Sequence, residues 1–228
     1  MALAHSPKIV TDGLVLCLDA GNTKSYPGSG TDWSDLSGNG NNGSLTNGPT
    51  YSSDDGGSIV FDGSDDHVTF TSNPSLTDQI TIEVWVKLNS TSATNGWICG
   101  RERSYRLLYA SNSFGWVCAT DNNDWYTTGT FIGAGSVAPH TNTYQVVVTY
   151  DGSNNKIYVN GTLRNTASSI SGNIKDVNNP YYIMRDGANV GDIDYGKGNL
   201  YSHKLYNRAL TASEVAQNYN ALRGRFGI

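Results

Sequence analysis

Residues 79–88, QITIEVWVKL, alternate strictly: Ile80, Ile82, Val84, Val86 and Leu88 fall on one side of an extended chain, Thr81, Glu83, Trp85 and Lys87 on the other. One side is written for a core; the other is polar but carries a Trp. Short runs rich in Val, Ile, Tyr and Thr recur along the chain, each bounded by Gly, Asn or Asp: GLVLCLDA (13–20), GSIVFDG (57–63), HVTF (67–70), GWICG (96–100), YRLLYA (105–110), FGWVCAT (114–120), TYQVVVTYDG (143–152), KIYVNG (156–161), PYYIMR (180–185) and NLYSHKLYN (199–207). Their number and spacing predict an all-β sandwich or barrel. Asn160-Gly161, between KIYV and TLRN, predicts a two-residue type I′ hairpin, because both central residues of that turn need positive φ. One segment has the helical period instead. Thr211 and Glu214 form a T-x-x-E capping box, and Val215, Asn218, Tyr219 and Leu222 follow at helical spacing, which predicts a short amphipathic helix over 212–222.

Between two apolar runs lies DLSGNGNNGSLT (35–46), in which Gly and Asn supply the positive φ of tight reversals. Asp35, Ser37 and Asn39 sit at alternate positions before Gly40, the opening half of a calcium loop. Its twelfth position is Thr46 where an EF-hand needs a bidentate Glu, so two readings stand: a structural calcium site that another segment completes, or a turn. No cofactor is expected beyond that ion.

The chain has 228 residues, 37% of them hydrophobic and 11% aromatic, enough for a substantial core, and no linker divides it. The expected organisation is an arm over 1–12 and a single domain over 13–228, the arm adding little to the core and free to order on a neighbouring protein. A net charge of −5 and a pI near 5.2 argue against a nucleic-acid partner. Arg101, Arg103 and Arg106 surround Glu102 and read as a solvated edge rather than a phosphate site. No apolar run approaches the length of a membrane span, and the start MALAHSPKIVTDG lacks the pattern of a signal peptide. Cys17, Cys99 and Cys118 lie among strand-like residues, so buried thiols are expected, with a Cys99–Cys118 bridge left open.

The ordered motifs GLVLCLDA, WSDLSGNGNNGSL, GGSIVFDGSDDHV, ITIEVWVK, YQVVVTYDGSNNKIYVNG and LYNRALTASEVAQNY resemble the LamG-like jelly-roll domains of the concanavalin A-like lectin/glucanase superfamily. The resemblance runs from about Gly13 to Tyr219 and implies a two-sheet antiparallel β-sandwich, a jelly roll with one short C-terminal helix. In many relatives one sheet face or the loops at its rim bind carbohydrate. The opening AHSPKIVTDGLVLCLDAGN and the ending NYNALRGRFGI resemble virion structural proteins of tailed phages of marine and cyanobacterial hosts. The chain departs from the wider family in its last long strand, where GNLYSHKLY lacks the usual acidic pair, although Asp192 and Asp194 lie just upstream.

The superfamily includes glucanases, which place two Glu on one strand. Here Glu214 belongs to the capping box and Glu102 to the arginine turn, so Glu83 stands alone and no catalytic residue is expected. The Asp pairs at 54/55, 65/66 and 192/194 fall in Gly-rich turns, and His5, His67, His140 and His203 match no nucleophile motif; for His67 and His203 a hydrogen-bonded structural role is expected. For a glycan the candidates are Trp125 and Tyr126 with Asp121, Asn123 and Asp124, in DNNDWYTTG: flat rings to stack on a sugar beside groups that bond its hydroxyls. The same rings read equally as pins that hold a loop to the sheet. The expected function is a non-enzymatic virion-surface protein, a capsid decoration or a tail- or fibre-associated protein. Its expected partners are other virion proteins and, beyond them, host surface polysaccharide, with no nucleic acid and no membrane insertion. The alternative is a bacterial carbohydrate-binding protein or glycoside hydrolase.

Overall fold

A computed structural model describes residues 7–74, 76, 78–89, 96–125, 127, 129–137, 142–187 and 194–228. The alternating runs become strands of two antiparallel sheets packed face to face. The first sheet holds, in spatial order, β14 (Thr162–Ala167), β13 (Asn155–Val159), β12 (Tyr144–Tyr150), β7 (Ile80–Leu88), β16 (Lys197–Tyr206), β5 (Ser58–Asp62) and β4 (Thr50–Ser52). The long β16 serves two neighbours: its first half pairs with β5, and its second half with β1 (Leu14–Asp19). The second sheet runs β11 (Phe131–Gly133), β10 (Ser113–Cys118), β9 (Tyr105–Ala110), β8 (Gly96–Arg101), β15 (Tyr181–Ile183), β6 (His67–Phe70), β3 (Gly43–Thr46), β2 (Asp32–Trp33). Asn160 and Gly161 have φ of 50° and 73°, the I′ hairpin that the dipeptide predicts between β13 and β14.

The core lies between the sheets and takes the apolar side of β7 whole, Ile80 to Leu88, as the alternation requires. Two buried hydrogen bonds cross it. Trp116 donates from Nε1 to Asn155 Oδ1 at 2.9 Å, and Tyr181 Oη meets His203 Nε2 at 2.8 Å. Burial pushes the His203 imidazole down to about 3, so it stays neutral and structural, as expected. Cys17, Cys99 and Cys118 are buried free thiols. The Cys99–Cys118 bridge does not form, because β9 lies between their strands: Cys99 faces Leu107 and Cys118 faces Tyr105.

The polar side of β7 departs from the expected picture, since it is covered rather than wet. The helix α1 (Ala212–Leu222), started by the Thr211–Glu214 capping box, lays Val215 against Val147, Tyr158 and Tyr206 on the outer face of the first sheet. Trp85 stacks on Tyr219 and on Phe226, with centroids 5.8 and 4.5 Å apart. Glu83 and Lys204 face each other across β7 and β16 beneath the helix. Lys204 Nζ lies 3.0 Å from Glu83 Oε1 with side-chain exposures of 2% and 0%. Asn218 of the helix supplies Nδ2 to the other Glu83 oxygen at 2.7 Å, and its Oδ1 accepts the Val10 amide at 2.8 Å. The described part of the expected arm, residues 7–12, is tied to the domain. Val10 packs on the helix cluster, its carbonyl accepts from Tyr206 Oη, and the Lys8 carbonyl accepts from Gln217. Among the described residues no helix is long and apolar enough to cross a membrane.

Burial opposes the Lys204 charge, but Glu83 opposite outweighs it and lifts the ammonium above its ordinary range. Lys204→Met leaves Glu83 charged and buried, and should cost about 3–5 kcal/mol; adding Glu83→Leu should recover most of that loss. Urea unfolding midpoints of the two variants and the parent check this.

Candidate functional site

With one sheet roofed by the helix, the outer face of the second sheet is the face that carries no helix among the described residues. Strand alternation decides what it presents. Tyr105 and Leu107 turn inward, so Arg106 turns out; Trp116 and Cys118 turn inward, so Val117 turns out; Tyr181 and Ile183 turn inward, so Tyr182 turns out. A bulge between Trp97 and Cys99 puts Trp97 on the same outer face.

Two clusters form there. In the first, Trp97, Val117, Ala119 and Trp125 pack together, and the Arg106 guanidinium lies 5.5 Å from the Trp97 ring centre and 4.8 Å from that of Trp125. In the second, His67 meets Tyr182 edge-on at 5.9 Å and Tyr195 at 6.1 Å, while Arg185 lies 4.5 Å over the Tyr182 ring. The His67 Nδ1 is fixed by the Asp65 carbonyl at 2.8 Å, the structural role expected of it. Glu102 interacts with both the Arg106 guanidinium and the Asp186 carboxyl. Burial first, and the Asp186 charge second, raise the Glu102 carboxyl above its ordinary range. Tyr182, Tyr195, Arg185, Glu102 and Asp186 are half-buried, so each is held by its surroundings and still reaches solvent.

The expected glycan residues are placed differently. Trp125 is 4% exposed: its ring is a pin in the first cluster, with Arg106 over it, and is not offered to a ligand. Tyr126 lies outside the described residues. The loop that holds the others is tied to segment 171–175: the Asp121 amide donates to the Asn173 carbonyl, Asn123 Oδ1 accepts from the Ser171 amide at 3.1 Å, and Asp124 meets Lys175 at 3.1 Å. The Trp125 amide and then Lys175 hold the Asp124 carboxyl below its ordinary range. These contacts build a loop and do not converge on a point. Sequence reasoning set aside Glu102 and Arg106 as a solvated edge and gave Tyr182 no role. The alternation of YRLLYA and PYYIMR already marks Arg106 and Tyr182 as facing away from the core.

The 35–46 loop is a clamp. Asp35 Oδ1 accepts the amides of Cys17 and Ser37, both at 2.8 Å, and Oδ2 accepts the Ser37 hydroxyl at 2.7 Å and the Asn41 amide at 3.0 Å. Asn39 Nδ2 donates onward to the Leu14 carbonyl of β1, and the Ser37 hydroxyl, 3.1 Å from the Val15 carbonyl, has a single proton to share between that carbonyl and Asp35. Both Asp35 oxygens thus have protein donors. Asp62, Asp65 and Asp66 are the group of carboxylates whose oxygens lie within 4.8 Å of one another, and there Asp62 accepts the Ser64 amide and Asp66 the Asp62 amide within one turn. Asp192, His5 and His140 lie outside the described residues. Glu83, the carboxylate left over when the others were assigned, is sealed in its ion pair.

Asp35→Ala should destabilise the fold by on the order of 3 kcal/mol, from several hydrogen bonds to a charged acceptor. Its melting temperature, like that of the parent, should be the same in EDTA and in calcium. Glu102→Gln tests the raised carboxyl. A carboxyl whose folded pKa is raised destabilises the fold increasingly as pH climbs from its ordinary value of 4.5 through the folded one. The Gln variant should therefore melt higher than the parent at neutral pH, and the two should converge below about pH 4.

Solved structures of the same fold are binding domains for the most part. The binding domain of Paraclostridial Mosquitocidal Protein 1 superposes with a TM-score of 0.71 at 16% identity, covering 92% of this chain and 52% of that one. The botulinum neurotoxin serotype D ligand-binding domain in complex with N-acetylneuraminic acid gives 0.68 at 12% identity, covering 92% and 51%. Domain 4 of AbnA, a GH43 extracellular arabinanase from Geobacillus stearothermophilus, in complex with arabinotriose, gives 0.65 at 18% identity, covering 90% and 98%. The chain thus spans about half the length of the toxin domains it matches. At such identities the likeness is one of fold. No curated protein sequence matches the chain. The family model Laminin_G_3, described as concanavalin A-like lectin/glucanases superfamily, matches residues 62–216, more than half of the chain, and the chain belongs to that family.

Proposed function

We propose that this chain is a non-catalytic glycan-binding domain, and that the outer face of the second sheet is where it binds. The observation that carries the reading is the second cluster: half-buried Tyr182 and Tyr195 reach solvent around His67, with Arg185 over the Tyr182 ring and Asp186 next in the chain, an aromatic patch flanked by groups that donate to and accept from sugar hydroxyls. The neighbours in complex with arabinotriose and with N-acetylneuraminic acid support the ligand class.

Catalysis is not the favoured reading. A retaining glycosidase sets its two carboxyl groups about 5 Å apart with the scissile bond between them. Glu83 is sealed in its ion pair with Lys204, and Glu214 is held by Arg208 and the capping box, so neither is offered to a substrate. We also place the domain on the virion of a tailed phage, as a capsid decoration or tail-associated protein that touches host surface polysaccharide. The support for that placement is the resemblance of the first and last stretches, AHSPKIVTDGLVLCLDAGN and NYNALRGRFGI, to such proteins.

Affinity electrophoresis through gels that contain host surface polysaccharide tests the binding. The parent should be retarded, and Tyr182→Ala should bind more weakly by about 1 kcal/mol, roughly fivefold, with its melting temperature nearly unchanged. Retardation equal to the parent's would remove the face from consideration. Copurification with phage particles at fixed stoichiometry checks the placement.

A further inference from the structure

A cleft of about 350 Å³ opens at the end of the sandwich where β8 gives way to β9, lined by Arg101, Tyr105, Pro74, Leu76, Ile174 and Lys175, with Asn73, Asp78 and Asp176 at its edge. Tyr105 is 0% exposed, wedged between the rings of Trp116 and Tyr181 at 6.3 and 6.2 Å; its hydroxyl makes no hydrogen bond of good geometry, and the polar group beside it is the Arg101 guanidinium, which can only donate and so leaves the phenol proton unused. The other deeply buried tyrosines do not leave theirs unmet. Tyr150 donates to the Gly172 carbonyl at 2.6 Å, Tyr181 meets His203 at 2.8 Å, and Tyr206 donates to the Val10 carbonyl at 3.0 Å. A buried hydroxyl without a partner is costly, and this one belongs to the tyrosine that lines a cleft.

The rest of the lining is already committed. Arg101 donates to the carbonyls of Asn179 and Val177 and pairs with Asp176 at 3.3 Å; Lys175 pairs with Asp124 at 3.1 Å. Asn73 accepts the Tyr181 amide and donates to the Asn179 carbonyl. Asp176 and Asp124 offset the two cations and Asp78 adds one carboxylate at the edge, so the cleft does not select for an anion. Pro74, Leu76 and Ile174 supply an apolar wall. What fits is small, neutral and hydroxylated, with one apolar face and an acceptor oxygen to meet the phenol. The volume is at the small end of ligand pockets, about 300–1,000 Å³.

We propose that this cleft is a second carbohydrate subsite, which takes one neutral sugar residue at the end of a glycan, with the Tyr105 hydroxyl as the donor that orients it. The inference rests on the glycan-binding reading and adds a chain-end site to the open face.

Thermal shift with L-arabinose, D-galactose and D-glucose as probes, and D-glucuronate as the charged control, tests it, since a ligand bound only to the folded state raises the melting temperature. At least one neutral sugar should stabilise the parent and Tyr182→Ala, and stabilise Tyr105→Phe at least fivefold less per unit concentration. Without sugar, Tyr105→Phe should melt at or above the parent, because no hydrogen bond is lost. Leu76→Trp, which fills the cleft from a partly exposed position, should abolish the shift if Tyr105→Phe folds poorly. Equal stabilisation of parent and Tyr105→Phe, no stabilisation of the parent by any neutral sugar, or a larger shift with glucuronate would each overturn the proposal. If the parent is still retarded by polysaccharide in those cases, the cleft alone has failed; loss of both removes the glycan-binding reading itself.

Discussion

A lysine and a glutamate face each other in the middle of the first sheet, and the way they are sheltered organises much of the molecule. Neither charge is tolerable there alone, and the pair by itself satisfies only one Glu83 oxygen. Asn218 completes the set, so helix α1 has to dock with that residue over Glu83 and not a turn to either side. Once docked, Asn218 also takes the Val10 amide, which fixes the chain's described beginning against its end. Such a pair contributes little net stability relative to apolar residues of the same volume. Its effect is positional, because a helix shifted by one turn strands a buried charge. The functional consequence is indirect. The helix closes one outer face and leaves the other without a helix among the described residues.

That second face is anchored through the core. β15 is short, yet Tyr181 on its inner side is tied to His203 of the opposite sheet and Tyr182 on its outer side lies beside His67. Fixing one residue of a strand fixes its neighbour's direction, so the core hydrogen bond preorganises the ring that faces solvent. Trp116 and Asn155 do the same for β10, whose Val117 supports Trp97 and Trp125. Polar atoms inside this sandwich thus set which way the outer side chains point.

The fold was legible where one rule governs one short stretch. The period of two in QITIEVWVKL, Asn-Gly at the β13–β14 turn and the T-x-x-E box each name a local geometry, and each appears where read. The polar side of β7 was misjudged because alternation tells which residues share a side, not what covers it; the helix that buries Trp85 is more than a hundred residues further along. The site was harder for the same reason. Glu102 and Asp186 are far apart in sequence and adjacent only through the β8–β15 pairing. The aromatic loop misled in the opposite direction. Trp125 sits among Asp and Asn, a composition that suits sugar binding, but those polar groups are spent on the 171–175 segment and the ring packs down on the outer face of the sheet beneath Arg106.

The cleft and the face share more than a domain. Arg101 and Tyr105, which line the cleft, flank the three-residue turn that carries Glu102, and Arg103 within it holds a positive φ of 62°. Across β8, Arg101 is in register with Tyr181, whose neighbour Tyr182 lies on the outer face. The two places are therefore the inner and outer sides of one β8–β9 corner and the same short β15. The turn at that corner carries Glu102, the carboxyl whose ionisation the fold resists. A sugar hydroxyl that donates to Glu102 favours the ionised carboxylate, since hydrogen bonds to the charged form offset desolvation and the Asp186 charge. Under the proposed glycan-binding reading, binding at this corner and proton release at Glu102 are therefore coupled.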